Sequence, residues 1–228
     1  AHLAALDAAK AAQVPRFLQL SAICLQKPRL TFQHAKLAFE AELRASGLSW
    51  TIVRPTAYFK SLSGQVPRVL VGKPFLVFGD GEMTATKPIS DRDLAAYLVD
   101  CLADPATSRC VLPVGGPGPA VTPRAQGEMI FAAAGLTPRF RHVSPRLLPT
   151  IARGMAMIGT VVPPLAPKAE LARIGAYYGT ESMLVWDAAR RRYDADATPE
   201  VGRDRLCDHF SAMVSGALDP GLGAHAVF

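Results

Sequence analysis

The chain has no cysteine arrangement suited to a metal. Its four cysteines, Cys24, Cys101, Cys110 and Cys207, are scattered and lack the paired spacing of zinc or iron–sulfur ligands, which argues against an iron–sulfur enzyme and for reduced thiols in a reducing compartment. Aromatic residues are sparse, 7% of 228 positions. Too few of them interleave with the scattered Lys and Arg behind the net charge of +6 to expect a nucleic-acid partner. The densest basic run, Arg190-Arg191-Arg192, reads as a solvated face, and the charge leaves open attraction to an anionic substrate or membrane surface. No signal peptide, transit peptide or clean membrane span is legible. The segment Arg146–Pro167 is apolar along Ile151, Met155, Ile158 and Val162, but Arg153, Pro149, Pro163 and Pro164 interrupt it. It reads as a buried or interfacial helix that packs the core, lids a large flat substrate, or rests on a membrane. Also missing is a glycine-rich turn between a first strand and a first helix, where backbone amides would meet a pyrophosphate. The nearest cluster, Gly115-Gly116-Pro117-Gly118-Pro119, is broken by prolines and reads as a loop before a helix start at Thr122-Pro123. With alanine rather than methionine first, these gaps lead us to expect the C-terminal portion of a longer protein.

Half of the residues are hydrophobic, enough to bury a substantial core. The pattern predicts a helix over 3–14, a strand Phe17–Cys24, a helix capped by Thr31 and closed at Gly47, and a strand Trp50–Val53 stopped by Pro55, the alternation of a parallel sheet with helical crossovers. Phe32, Lys36, Phe39 and Leu43 fall on one helix face. A lysine there is unusual, because a desolvated ammonium needs a partner, although its stem can also snorkel to the surface. In open parallel sheets ligands sit beyond the carboxyl ends of the strands, so Ser21 and Pro55–Phe59 are predicted at one edge of one cleft. Farther on, Asp80-Gly81 between Lys73–Phe78 and Met83–Ile89 predicts a hairpin. Ser90-Asp91-Arg92-Asp93 resembles a capping box, which makes Asp91 and Asp93 cap and dipole residues rather than catalytic acids. A strand Cys110–Val114, a helix Pro123–Ala134 and a final helix near Arg205–Val214 complete the reading.

The unit of Ser21 ending a strand, Lys36 on the next helix and Arg54-Pro55 ending the next strand resembles the second half of the short-chain dehydrogenase/reductase fold in its atypical, NmrA-like branch. In that family a Tyr-x-x-x-Lys pair supplies a proton and holds the nicotinamide ribose. Here Lys36 matches, and Phe32 stands at the tyrosine position with no proton to give. The tail is more specific. Phe59-Lys-Ser-Leu-Ser-Gly-Gln-Val66, Gly72-Lys-Pro74, Phe78-Gly-Asp-Gly81 and Tyr177-Tyr-Gly-Thr-Glu-Ser-Met-Leu-Val-Trp-Asp187 are similar to the iron–sulfur-free divinyl chlorophyllide 8-vinyl-reductases.

The resemblance implies an α/β fold, the C-terminal part of a Rossmann-like doubly wound parallel sheet lacking its first strands, with a smaller α+β substrate-binding region. Residues 1–60 would form the second half of the cofactor domain, and 61–228 the substrate region, with Rossmann elements returning at about 85–115. It implies NADPH as cofactor and divinyl chlorophyllide or protochlorophyllide as substrate, with the 8-vinyl group reduced to ethyl in (bacterio)chlorophyll biosynthesis. By the same resemblance Ser21, Ala22, Lys36, Pro55, Thr56 and Ala57 contact the cofactor, Phe32, Tyr58 and Phe59 the substrate, and Lys36 and Tyr58 serve the chemistry. No metal is implied. The place of work would be bacterial cytoplasm or the surface of a photosynthetic membrane, alternatively a chloroplast. The branch also contains non-catalytic dinucleotide sensors and structural subunits, which remain the alternative. Without the first strands, the chain alone is expected to bind no cofactor, to be inactive and to present an exposed sheet edge prone to association.

Overall fold

The computed structural model describes residues 2–145, 166–219 and 221, so all but the last two residues of the apolar segment expected across 146–167 lie outside the described residues. In chain order the elements are α1 (His2–Ala11), β1 (Arg16–Leu20), α2 (Thr31–Ala45), β2 (Ser49–Pro55), α3 (Val66–Leu70), β3 (Phe75–Phe78) and α4 (Asp91–Ala103). There follow β4 (Cys110–Val114), α5 (Pro123–Ala133), β5 (Phe140–Val143), α6 (Ala166–Tyr178), β6 (Val185–Asp187), β7 (Arg192–Asp194) and α7 (Leu206–Val214). The chain divides into two compact units, the first made of 1–58, 87–119 and 184–204, the second of 59–86, 120–183 and 205–228.

The first unit is built on a three-stranded parallel sheet in the order β1-β2-β4. Neighbouring residues of the central strand point to opposite faces. Ile52 packs with Leu6 of α1 and Phe39 and Leu43 of α2, while Val53 packs with Ile89 and with Leu94 and Cys101 of α4. Both faces of the sheet are therefore covered by helices, as a run of parallel apolar strands requires. Arg16 closes the far end of α4 by donating to the carbonyls of Leu102 at 3.1 Å and Asp104 at 2.9 Å, and to Thr51 Oγ1 at 2.9 Å.

Two local expectations change. Leu30, not Thr31, is the N-cap of α2; the cap is supplied from inside the helix by Gln33, whose Oε1 accepts from Leu30 N–H at 2.9 Å and Arg29 N–H at 2.6 Å. At α4 Ser90 caps as expected, accepting from Asp93 N–H at 3.0 Å. The Asp93 carboxylate does not return the bond to Ser90. It accepts instead from the backbone N–H groups of Arg203 at 2.9 Å and Asp204 at 2.8 Å. Gly202, at φ +81°, makes that approach possible, since a Cβ there would stand 2.2 Å from Asp93 Cγ.

In the second unit β3 and β5 pair in parallel, and α3, α5 and α7 contribute to a core containing Phe75, Val77, Ile130, Phe131 and Phe210. The predicted hairpin does not form. Asp80-Gly81 does turn the chain, with Gly81 N–H donating to Phe78 C=O at 3.0 Å and Glu82 N–H to Asp80 Oδ1 at 2.9 Å. But 83–89 does not return beside β3, and Thr86 exchanges backbone hydrogen bonds with Val121 instead. The reason lies in side-chain packing, because Phe75 sets its ring edge-on to Phe140 of β5, with centroids 6.1 Å apart.

Candidate functional site

The predicted site residues of the first unit gather at the carboxyl ends of β1 and β2. Leu20 pairs with Val53 in the last step of that ladder, and the ladder runs one residue past β1, where Ser21 N–H donates to Val53 C=O at 2.7 Å. On the other side Thr56 N–H donates to Val114 C=O at 2.9 Å, just beyond the end of β2. Ser21-Ala22 and Pro55-Thr56-Ala57 therefore leave adjacent strands at the same edge, where a doubly wound sheet receives its ligand.

Each of these segments is fixed from behind. The Thr56 hydroxyl donates to the carbonyl of Lys87, and Ala57 C=O accepts from Ile89 N–H at 2.9 Å. Tyr58 is half-buried and bridged to Ile89. Burial, and then the carboxylate of Asp91, push its phenol above the ordinary value, so the hydroxyl keeps its proton at neutral pH. Lys36 and Phe32 are half-buried on α2. At 100° per residue Lys36 sits in the middle of the arc bounded by the buried Phe39 and Glu40, and its ammonium has no hydrogen-bond or ion-pair partner among the described residues. A cation held on the inward face of a helix without a partner fits a polar ligand that is not part of the chain. This is the observation that accommodates a dinucleotide ribose.

Ser21 and Phe59 do not stand open to a ligand. Ser21 is 5% exposed, and its hydroxyl donates to Glu40 Oε1 at 2.6 Å. Phe59, 5% exposed, is a core residue of the second unit, with its ring 5.4 Å from that of His209. Its side chain packs in that core.

Three polar groups at this edge were not singled out in the sequence. Glu40, 1% exposed, receives Ser21, Arg54 at 3.1 and 2.5 Å, and Arg44 at 3.1 Å. The signal was present: a glutamate one helical turn after Lys36, with arginines four and fourteen residues on. Lys87, 6% exposed, is paired with Glu200, whose carboxylate that ammonium and the Gly118 N–H hold below its usual range. Gln26 binds both edges of one residue step, accepting from Trp186 N–H at 2.8 Å and donating to Leu184 C=O at 2.5 Å. That anchors the β6–β7 hairpin beside the segment that follows Ser21. These last two pairs join residues more than a hundred positions apart, and no local pattern announces them. Among the described residues no group of acidic, cysteine or histidine side chains could hold a metal ion.

Residues 1–105 match the NAD(P)H-binding sequence family. The fold has solved counterparts in an NADPH-dependent quinone oxidoreductase of Escherichia coli complexed with NADPH (18% identity, TM-score 0.63, covering 96% of this chain and 71% of that one). A nucleoside-diphosphate-sugar epimerase of Staphylococcus aureus is a second (17% identity, TM-score 0.64, covering 92% and 69%). The fold is Rossmann-like, and the NAD(P)H-binding domain over residues 1–105 gives the class of cofactor as a nicotinamide dinucleotide. More narrowly, the chain is related along its whole length to the divinyl chlorophyllide a 8-vinyl-reductases of chloroplasts. It is 43% identical to that of Oryza sativa subsp. indica over 234 residues, covering 100% of this chain and 58% of the relative. It is 44% identical to that of Arabidopsis thaliana over 215 residues, covering 92% and 52%. The chain thus spans a little over half the length of these relatives.

Proposed function

We propose that this chain is the part of an NADPH-dependent reductase that places the nicotinamide end of the cofactor, and that the whole enzyme reduces the 8-vinyl group of divinyl chlorophyllide or protochlorophyllide to ethyl. The similarity to the vinyl-reductases over the full chain carries the reading, and the site chemistry supports it. Reduction of a vinyl group conjugated to a macrocycle develops charge that the ring itself delocalises, so a tyrosine donating to an oxyanion is not required, and Phe32 at that position is no defect. NADPH supplies the hydride when bound.

The remaining work belongs to side chains of this chain. Lys36, whose ammonium has no partner among the described residues, directs it to the ribose hydroxyls. Ser21, Ala22, Pro55, Thr56 and Ala57 shape the edge on which the nicotinamide rests, and the ties of Thr56 and Ala57 to Lys87 and Ile89 hold that edge before any ligand arrives, which lowers the cost of orientation. Tyr58 holds a proton at its phenol oxygen and is our candidate to deliver it to the carbon that does not receive hydride. Phe32 and Tyr58 offer half-exposed rings to a flat pigment. The relatives are chloroplast proteins, which supports the plastid among the expected locations.

The test is the absorbance of divinyl chlorophyllide incubated with NADPH and the full-length natural protein. A blue shift to the monovinyl spectrum is expected. NADPH binding without any shift would move the reading to a dinucleotide sensor. The Lys36→Ala variant should weaken NADPH by about ten- to a hundredfold, the loss of hydrogen bonds from a charged donor, as read by quenching of nucleotide fluorescence.

A further inference from the structure

Behind Thr56, three stretches of the first unit converge on the glycine run that follows β4. Gly115 N–H donates to Pro199 C=O at 2.8 Å, its own carbonyl accepts from Val201 N–H at 3.0 Å, and Gly116 N–H donates to Lys87 C=O at 3.1 Å. A Cβ on Gly115 would stand 2.8 Å from Lys87 Cβ and 2.9 Å from the Lys87 carbonyl oxygen, and one on Gly116 would run into the Pro88 carbonyl. Glycine is what lets these backbones come so close. The Lys87 carbonyl that Gly116 reaches also accepts from the Thr56 hydroxyl. Two residues on, Ile89 N–H donates to Ala57 C=O at 2.9 Å, and Ile89 is bridged to Tyr58. Lys87-Pro88-Ile89 thus runs as a strap along Thr56-Ala57-Tyr58.

The strap is held at its first residue by that residue's own side chain. Lys87 is 6% exposed. Its ammonium pairs with Glu200 Oε1 and lies 3.5 Å from Thr198 C=O, while Glu200 Oε2 accepts from Gly118 N–H at 3.1 Å. Burying an ammonium costs stability that an apolar chain of the same length would not, and what the charge adds is a fixed direction, toward one carboxylate anchored on the glycine run. We propose that Lys87, set by Glu200, is a positioning residue: it fixes the strap and, through the strap, the half-exposed Ala57 and Tyr58, without itself meeting a ligand. Gly115 and Gly116 provide the room in which it does so.

The effect on turnover rests on the reading that Tyr58 stands at the reacting site, whereas the strap does not. In the full-length natural protein, Lys87→Met should lower kcat about ten- to thirtyfold, part of the hundredfold that a misplacement of about 1 Å costs, with the dissociation constant for NADPH changed by less than about threefold. Glu200→Gln, which keeps one acceptor, should lower kcat less. In a Thr56→Val background, where the tie to the strap is already lost, Lys87→Met should lower kcat by less than about twofold, because both changes act through one bond. A lysine that only supports the fold would give the same loss in both backgrounds. That result, or an unaltered kcat in folded Lys87→Met, would overturn the proposal. If the unmodified protein reduces no vinyl group, or if Tyr58→Phe keeps full kcat, hydrogen exchange of the ligand-free protein decides the strap. The Ile89 amide should then exchange about tenfold faster in Lys87→Met, the protection lost with roughly one hydrogen bond, while the amides of β2 keep their rates. Equal exchange at Ile89 in the two proteins would overturn it.

Discussion

At the scale of single residues, the site is defined by which groups are already satisfied inside the protein and which are not. Lys36 lacks a partner among the described residues, whereas Ser21, Thr56 and Lys87 have theirs within the chain. Tyr58 stands between these cases, with a proton kept by burial and by Asp91. If it donates the proton, activity depends on the protonated phenol and is lost as pH rises through a value above the ordinary 10.0. Asp91→Asn removes the negative charge that disfavours the phenolate, so the alkaline limb of the pH–rate profile should move to lower pH. Tyr58→Phe should lower kcat by about a hundredfold or more, the scale of a lost general acid. A Tyr58→Phe enzyme with full kcat would pass the role to solvent.

Among the elements, close approach matters more than propensity. Gly127 lies inside α5, and a Cβ there would come within 2.5 Å of Phe140 Cε1 and 3.0 Å of Phe75 Cδ1. Alanine is the better helix former by about 1 kcal/mol, but overpacking a filled core costs about 1–3 kcal/mol. Gly127→Ala should therefore lower the melting temperature by a few degrees despite its higher helix propensity. A rise would mean that β5 yields freely. The main elements were legible because their signals are local: α2 by its stripe, β2 by its apolar run ending in proline, α5 by Thr122-Pro123. The hairpin was not, because the Asp80-Gly81 signal specifies only the turn, while the partner of β3 was chosen by Phe140, sixty residues on. The same limit hid the site's supports. Lys36 announced itself by its face, but Glu200 under Lys87 and the hairpin on Gln26 are fixed by long-range contacts. Phe59 shows the reverse, a residue expected at a pocket wall by resemblance and buried in the core of its own unit.

The molecule as a whole carries several carboxylates held below their usual range, Asp204 chiefly by Arg92, Glu200 by Lys87 and Asp187 by the backbone of Arg190. A depressed carboxylate contributes stability above its unfolded value, and that contribution is lost as pH falls through the folded one. Thermal unfolding should be insensitive to pH from 7 to about 5 on this account and should move to lower temperature below pH 4, less steeply in high salt because the groups are largely exposed. An unchanged midpoint at pH 3 would show that these pairs add nothing. The route of the chain adds a further constraint. It leaves the first unit at Tyr58, returns for 87–119, and returns again only for 184–204. During synthesis, the ribosome delivers Lys87 and Gln26 roughly a hundred residues or more before Glu200 and the β6–β7 hairpin. The nascent sheet must wait with an unneutralised lysine and an empty amide clasp until the last return arrives. A ribosome stalled before residue 184 should therefore hold a protease-sensitive first unit, and one stalled with residue 204 clear of the exit tunnel should hold a resistant one.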